Sequence, residues 1–303
     1  MKLDVISHCT IDTIEINNSE YIVPGGPGCY CSLTARALKF DVRLHTKFGS
    51  DFTLADYLTE QKIVFENSFS TELTTQFILQ LVDSERTLFL KNKCEMISDI
   101  ILDTGNVIIS PLFDEIPLEL FEKIKNDANF ILLDPQGFLR RIDSENKIYL
   151  KHVDLNLSGI SAIKVNSDEL KALTNADHLD GIKILQKKGI DNVILTDKQD
   201  ISLLSENKIY SITLPDVILN DTTGIGDIFS TAFCCTMLKE KDILWALSFA
   251  GGAAQAALES GQIGIEKNPS KGAIGKNISI NGSTTIFVDQ FIIPPSFDPI
   301  SMS

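Results

Sequence analysis

The sequence predicts an α/β fold, a doubly wound and mainly parallel sheet with helices on both faces, joined by a small separate β-sheet near the N-terminus. Three observations carry that prediction. From about residue 107 short apolar runs alternate with amphipathic stretches, the pattern of βα units covered on both sides. Before that point two hairpin patterns break the alternation. Near residue 221 a glycine loop, Asp221-Thr222-Thr223-Gly224-Ile225-Gly226-Asp227-Ile228-Phe229, runs directly into an amphipathic helix.

The elements follow in order. Leu3 to Ser7 reads as a buried first strand, with Asp12 just past it. Thr13 to Ile16 and Tyr21 to Val23 flank the turn Asn17-Asn18-Ser19 and predict a hairpin. Gly25-Gly26-Pro27-Gly28 opens a helix that runs to about Lys39, and Val42 to Thr46 is the next strand. Phe77, Leu79 and Leu81 alternate, and Leu88 and Leu90 repeat the pattern after Asp83-Ser84-Glu85, which predicts a second hairpin. The regular part holds strands at Val107 to Ile109, Phe130 to Leu133, Ser161 to Val165 and Val193 to Leu195. Helices fall at Pro117 to Asn126, from Asn166 onward, and at Leu179 to Lys188, with short strands near Ile201 and Ile209. Helices over 225–238 and 242–258 close the pattern, the second rich in Ala and Gly. Residues 270–303 read as a strand and a tail, and Gly272-Ala273-Ile274-Gly275-Lys276-Asn277 as a loop without P-loop spacing. No linker, repeat or low-complexity segment divides the chain, so one unit over residues 1–303 is expected.

Acidic residues outnumber basic ones by 14 (41 against 27), which argues against nucleic acid as a partner. No apolar run reaches the roughly 18 residues of a membrane span. The six cysteines show no Cys-x-x-Cys spacing, so free thiols are expected, and with a charged N-terminus the reading is cytoplasmic. His8, His45, His152 and His178 are scattered and read as structural.

The glycine loop carries the chemistry. Ile225, Ile228, Phe229, Ala232, Phe233 and Met237 form a helical stripe, so the loop feeds a helix N-terminus with Asp227 in its first turn. Unpaired N–H groups and the helix dipole make such a place bind anions. Asp227 is then either a base beside a bound phosphate or a residue placed there by the dipole alone.

Asp221-Thr-Thr-Gly-Ile-Gly-Asp227-x-Phe229 resembles the C-terminal motif of the PfkB (ribokinase-like) family of carbohydrate and nucleoside kinases, with Ile225 where that family usually has Ala. Gly25-Gly26-Pro27-Gly28-Cys29-Tyr30 resembles its Gly-Gly-x-x-x-Asn motif, and Phe48-Gly49-Ser50-Asp51 its Val-Gly-x-Asp. The resemblance implies a ribokinase-like fold with a β lid from about 11–24 and 73–92, ATP as donor, Mg²⁺, and a homodimer through the lid. It implies an acceptor site at Asp12, Gly25, Gly26 and Tyr30. It also implies donor contacts from Asn166, Thr196, Asp197, Thr223, Gly224 and Gly226. Asp227 would be the base, and the backbone of Gly224, Ile225, Gly226 and Asp227 the anion hole.

Tyr30 replaces the family's substrate-facing Asn and argues against ribose. Asn166-Ser167-Asp168-Glu169 matches both a capping box and the family's Asn-x-x-Glu, whose Glu arranges magnesium through water. Thr196-Asp197-Lys198-Gln199-Asp200 lacks both glycines of the family's nucleotide loop. Gln136 and Arg140 are acceptor contacts, or a turn and a surface Arg. The expected function is an ATP-dependent kinase for a sugar or polyol, with inositol a candidate. A nucleoside kinase and a ligand-binding homologue that has lost turnover are the alternatives.

Overall fold

The structure, a computed structural model, describes residues 1–16, 19–82, 85–215, 221–280, 287–288 and 291–292. The chain opens with β1 (Lys2–Ile6), the hairpin β2 (Thr10–Ile16) and β3 (Ser19–Gly25), helix α1 (Gly26–Ala37) and β4 (Asp41–His45). Helix α2 (Ala55–Glu60) and β5 (Ile63–Val64) lead to a second hairpin, β6 (Thr75–Val82) and β7 (Glu85–Asn92). Next come β8 (Asn106–Ile109), α3 (Leu118–Asp127), β9 (Phe130–Leu133), α4 (Gln136–Leu139) and the ribbon β10 (Arg140–Ile142) with β11 (Ile148–Leu150). Strand β12 (Ala162–Asn166), helices α5 (Ser167–Thr174) and α6 (His178–Lys187), and strands β13 (Asn192–Asp197), β14 (Asp200–Ser205) and β15 (Lys208–Thr213) follow. The chain then forms α7 (Ile225–Glu240), α8 (Ile243–Glu259), a 3₁₀ turn (Gly264–Lys267), α9 (Lys271–Ile280), β16 (Phe287–Val288) and β17 (Phe291–Ile292).

The main sheet has the order β17-β16-β15-β14-β13-β12-β9-β8-β1-β4-β5. From β5 to β13 all neighbours are parallel, and β14 to β17 extend it as an antiparallel edge. Strand order reverses at β1, which pairs with both β4 and β8. In open α/β sheets ligands bind outside the carboxyl ends of the strands at such a reversal.

Successive side chains point to opposite faces of a strand, and that alternation builds two cores. Leu3, Val5, Ile108, Leu132, Ala162 and Ile194 pack on one side with α1, α7 and α8. Ile6, Val107, Ile109, Ile131, Leu133, Ile163, Val165 and Val193 pack on the other with α3, α5 and α6. Both hairpins belong to one four-stranded sheet, β3-β2-β6-β7, joined by a parallel pairing of β2 with β6. Of the hairpin turns, Asn17, Asn18, Asp83 and Ser84 lie outside the described residues.

One expectation changes. Gly272 to Asn277 lie in α9 and not in a loop, because Ile274 is buried against the α7–α8 core and that packing outweighs two helical glycines. Residues 281–286, 289–290 and 293–303 of the expected strand and tail lie outside the described residues. All six cysteines are free and buried, and no helix among the described residues is long and apolar enough to cross a membrane.

Gly137 joins the sheet end to the site. A Cβ there would lie 2.4 Å from the carbonyl carbon of Pro111 and 2.6 Å from the nitrogen of Leu112. Both are backbone atoms of the loop just past β8 and cannot swing away. Gly137→Ala is therefore expected to cost about 1–3 kcal/mol, the range for inserting a methyl into a packed core. Urea unfolding of the variant beside the parent measures it.

Candidate active site

Helix α7 begins at Gly224, whose φ is 80°. A Cβ on Gly224 would lie 2.5 Å from the Tyr30 ring, so the left-handed turn and the close ring contact both require glycine. No side chain caps the helix, which leaves the N–H groups of Gly226 and Asp227 without a side-chain acceptor. Ile225 differs from its expected part, because its N–H turns back to Thr222 O at 3.3 Å and closes the loop. Thr223 donates its N–H to Asp221 Oδ1 at 2.8 Å, while its Oγ1 is buried with no partner. A buried hydroxyl without a partner next to free N–H groups is a site open to a ligand oxygen.

Beneath this turn lies a buried ion pair. Lys164 alternates with Ile163 and Val165 on β12, so its side chain rises on the α7 face of the sheet. Its Nζ donates to Asp134 Oδ2 at 2.8 Å, and a Cβ on Gly226 would lie 3.2 Å from that nitrogen. Burial opposes the charge on Lys164, but the Asp134 and Glu169 carboxylates outweigh it and hold the ammonium above the usual lysine range. Asp227 is pushed up to about 7 by burial and then by Asp134, with Lys164 and Arg140 pulling the other way. The carboxyl in the first turn is therefore poised near neutrality.

The four-stranded sheet roofs a small cavity of about 80 Å³. Its polar wall is Asp12, Tyr30, Gln136, Arg86, Arg140, Thr223 and Asp227, and Phe77, Leu79 and Leu88 form an apolar ceiling. Asp12 accepts from Thr10 Oγ1 at 2.9 Å through Oδ2, and its Oδ1 is buried without a partner. Burial raises Asp12 to about 7, against the pull of the Thr10 hydroxyl and of Arg140. The Tyr30 hydroxyl is likewise buried and unpartnered. Arg140 donates to Gln136 Oε1 at 2.6 Å and to Leu112 O at 3.1 Å, which fixes the Gln136 amide. The root of the roof is held by Asp51, which accepts from Thr74 N (2.9 Å), Thr74 Oγ1 (2.7 Å) and Gln76 Nε2 (3.0 Å).

Asp12, Gly26, Tyr30, Gln136, Thr223, Gly224 and Asp227 thus share one cavity. Gly25 borders it, since a Cβ there would lie 2.9 Å from Asp12 Oδ2. Asn166, Thr196 and Asp197 stand apart at the carboxyl ends of β12 and β13, with Asn166 and Thr196 paired in register. Asn166 Oδ1 accepts from Glu169 N and Glu169 Oε2 from Asn166 N, both at 2.9 Å, a complete capping box. Glu169 is buried, which raises its carboxyl, and Lys164 pulls against that shift. Sequence reasoning missed Lys164, Lys267 and Arg86. Lys164 had a signal, a lone charge inside the apolar strand Ala162-Ile163-Lys164-Val165. Lys267 had none, since its neighbourhood reads as polar surface.

The sequence matches the pfkB family carbohydrate kinase model over residues 4–270. No curated protein matches it. Among solved structures, a pyrophosphate-dependent kinase in the ribokinase family, in a sulfate complex, superposes with a TM-score of 0.81 at 20% identity, covering 91% of this chain and 99% of that one. A pyrophosphate-dependent kinase of that family with a pyrophosphate analog and myo-inositol gives 0.76 at 22% identity, covering 84% and 94%. Ribokinase from Arabidopsis thaliana with ribose and ATP gives 0.71 at 20% identity, covering 91% and 98%. At these identities the structures establish the fold, and the family match extends over most of the sequence. The chain belongs to the pfkB family of carbohydrate kinases.

Proposed function

We propose that this kinase transfers a phosphoryl group from ATP to a hydroxyl of a small sugar or polyol, with Asp227 as the base. One observation carries the reading: a carboxylate poised near neutrality at an uncapped helix N-terminus, inside a cavity lined by further polar groups. Asp227 takes the proton of the acceptor hydroxyl as that oxygen attacks the γ-phosphorus. The N–H groups of Gly224, Gly226 and Asp227 meet the developing charge, and Ile225 holds the turn through its bond to Thr222. The unpartnered Thr223 hydroxyl supplies one more donor. Asp12 Oδ1, the Tyr30 hydroxyl and the Gln136 amide hold acceptor hydroxyls, with Gly25 leaving room beside Asp12 and Gly26 packed against His8 and Thr10.

Asn166, Thr196 and Asp197 lie along the donor's path at the strand ends, where the Asn166 amide nitrogen stays available to a phosphate oxygen. Glu169 Oε1 would hold Mg²⁺ through water. The bound ion supplies charge neutralisation of the phosphates.

A second donor, pyrophosphate, is favoured by the turn after β13. Asp197 pairs with Asp200 across a two-residue turn, Lys198 adopts a φ of 55°, and Asp200 accepts from Thr213 Oγ1 at 2.6 Å. A donor without a base asks nothing of that glycine-free turn. Turnover of ATP and of pyrophosphate against sugars, inositols and nucleosides tests the reading. Phosphorylation of a sugar or polyol supports it, preference for a nucleoside replaces the acceptor class, and no turnover with any pair removes the kinase reading.

Asp227→Asn is expected to lower kcat by about 10²- to 10⁴-fold, the contribution of a positioned base, with acceptor KM little changed. The parent's kcat/KM should rise with pH through about 7, because the base of the free enzyme must be unprotonated. Stability carries the opposite sign. With its pKa raised on folding, native Asp227 keeps a proton that the unfolded chain releases, so its contribution falls as pH rises from about 4 to about 7. Asp227→Asn should flatten that part of the stability profile. A variant with parental turnover would remove Asp227 from the base role.

Tyr30→Phe separates pocket from packing, since the ring stays against Gly224 and only the hydroxyl is lost. A bond to an acceptor hydroxyl is worth about 1–3 kcal/mol when its loss leaves a buried group unpaired. The ranking of kcat/KM across the acceptor panel should therefore shift, while the melting temperature and the donor KM stay near the parent's. An unchanged ranking excludes the hydroxyl from acceptor recognition.

A further inference from the structure

The ammonium of Lys267 is one of the most completely buried charges in the molecule, with no side-chain exposure on it or on its partner Asp221. It donates to Asp221 O at 3.1 Å, to Thr223 O at 2.9 Å and to Asp221 Oδ2. Three protons meet three oxygens, so the hydrogen-bonding capacity of the ammonium is filled. All three oxygens come from the stretch 221–223, immediately before the Gly224 turn. The remaining bonds of Asp221 close the same knot: Oδ1 accepts from Thr223 N at 2.8 Å and Oδ2 from Gly264 N at 3.2 Å.

A lysine that only filled the core would place its charge on one carboxylate. Here two acceptors are main-chain carbonyls, whose direction decides where the following N–H groups point. Each peptide plane carries its C=O and the next N–H in opposite directions. Drawing Thr223 O toward Lys267 therefore turns the Gly224 N–H away from it, toward the cavity side. A carboxylate and two carbonyls converging on one point form the oxygen cage that a small monovalent cation would occupy.

We propose that Lys267 is a positioning residue that acts as a tethered monovalent cation, its ammonium filling an oxygen cage that orients the proposed anion hole. The proposal rests on the reading of Gly224 to Asp227 as the phosphoryl site. It makes the kinase independent of added potassium or ammonium, since the chain carries its own cation.

Two variants and the parent test it, at fixed ionic strength, in potassium, ammonium or tetramethylammonium chloride. The parent should show the same kcat in all three salts. Lys267→Ala should lower kcat by about 10²-fold in tetramethylammonium, the scale of losing one oriented anion-hole donor. Potassium or ammonium should restore at least a tenfold part of that loss, because either ion fits the vacated cage and tetramethylammonium does not. Lys267→Met fills the alkyl space and should show the loss without the rescue. Calorimetric binding of pyrophosphate to the same proteins gives a readout apart from turnover, and should weaken and recover in parallel.

A parent that needs added potassium overturns the proposal, and so does a folded Lys267→Ala with parental kcat and pyrophosphate affinity. Loss in Lys267→Ala that neither ion relieves, with an unfolding transition like the parent's, also overturns it. Should the alanine variant not fold, the salt dependence of the parent alone decides. If no donor and acceptor pair turns over, the kinase reading fails. The ion dependence of pyrophosphate binding then still reports on Lys267 by itself.

Discussion

Beneath the first turn of α7 a lysine and an aspartate, Lys164 and Asp134, lie 2.8 Å apart with little of either side chain exposed. Neither charge is tolerable alone, since breaking a buried pair leaves an uncompensated ion at a cost of about 3–5 kcal/mol. The pair therefore constrains what surrounds it. Asp227 and Glu169 both add negative charge near Lys164, and both are buried enough to be raised. The ammonium keeps those carboxyls ionisable, and the small Gly226 lets α7 settle directly over it. A larger residue at Gly226 would meet Lys164 Nζ, so the position of the helix and the position of the charge are set together.

A second anchor joins the roof of the cavity to the loop below. The 3₁₀ turn at Gly264 packs on Val23 of β3, while the N–H of Gly264 and the ammonium of Lys267 hold Asp221. On the far side of the roof Asp51 ties the start of β6 through Thr74 and Gln76. The edge strand β3 and the inner strand β6 are thereby fixed where they meet the main body. The ceiling residues Phe77, Leu79 and Leu88 sit between these anchors, on the same small sheet as the polar Asp12 and Arg86.

Much of this was legible in the chain because it is local. Alternation set the strands Val107 to Ile109 and Phe130 to Leu133, and the stripe from Ile225 to Met237 set α7. Glycines at 224 and 226 marked a turn that a side chain would obstruct. The double meaning of Asn166 to Glu169 was visible too, and the capping half of it is the geometry found. Helix α9 was not legible, since two glycines in its sequence argue for a loop and only the burial of Ile274 argues for a helix.

By itself the sequence determined the α/β alternation, the paired hairpins, the glycine loop before a helix and Asp227 in its first turn, because each depends on neighbours within a few residues. Tertiary structure alone decided which distant residues meet. Lys164 and Asp134 are 30 positions apart, and Lys267 and Asp221 are 46. Arg86 from the roof and Arg140 from β10 face the same cavity. A charge at position 267 looks like surface in the chain, and becomes a buried cation only because the 3₁₀ turn, the loop and the roof converge on it. Convergence of that kind leaves no periodic trace, since it is set by packing between elements and not by the spacing within one.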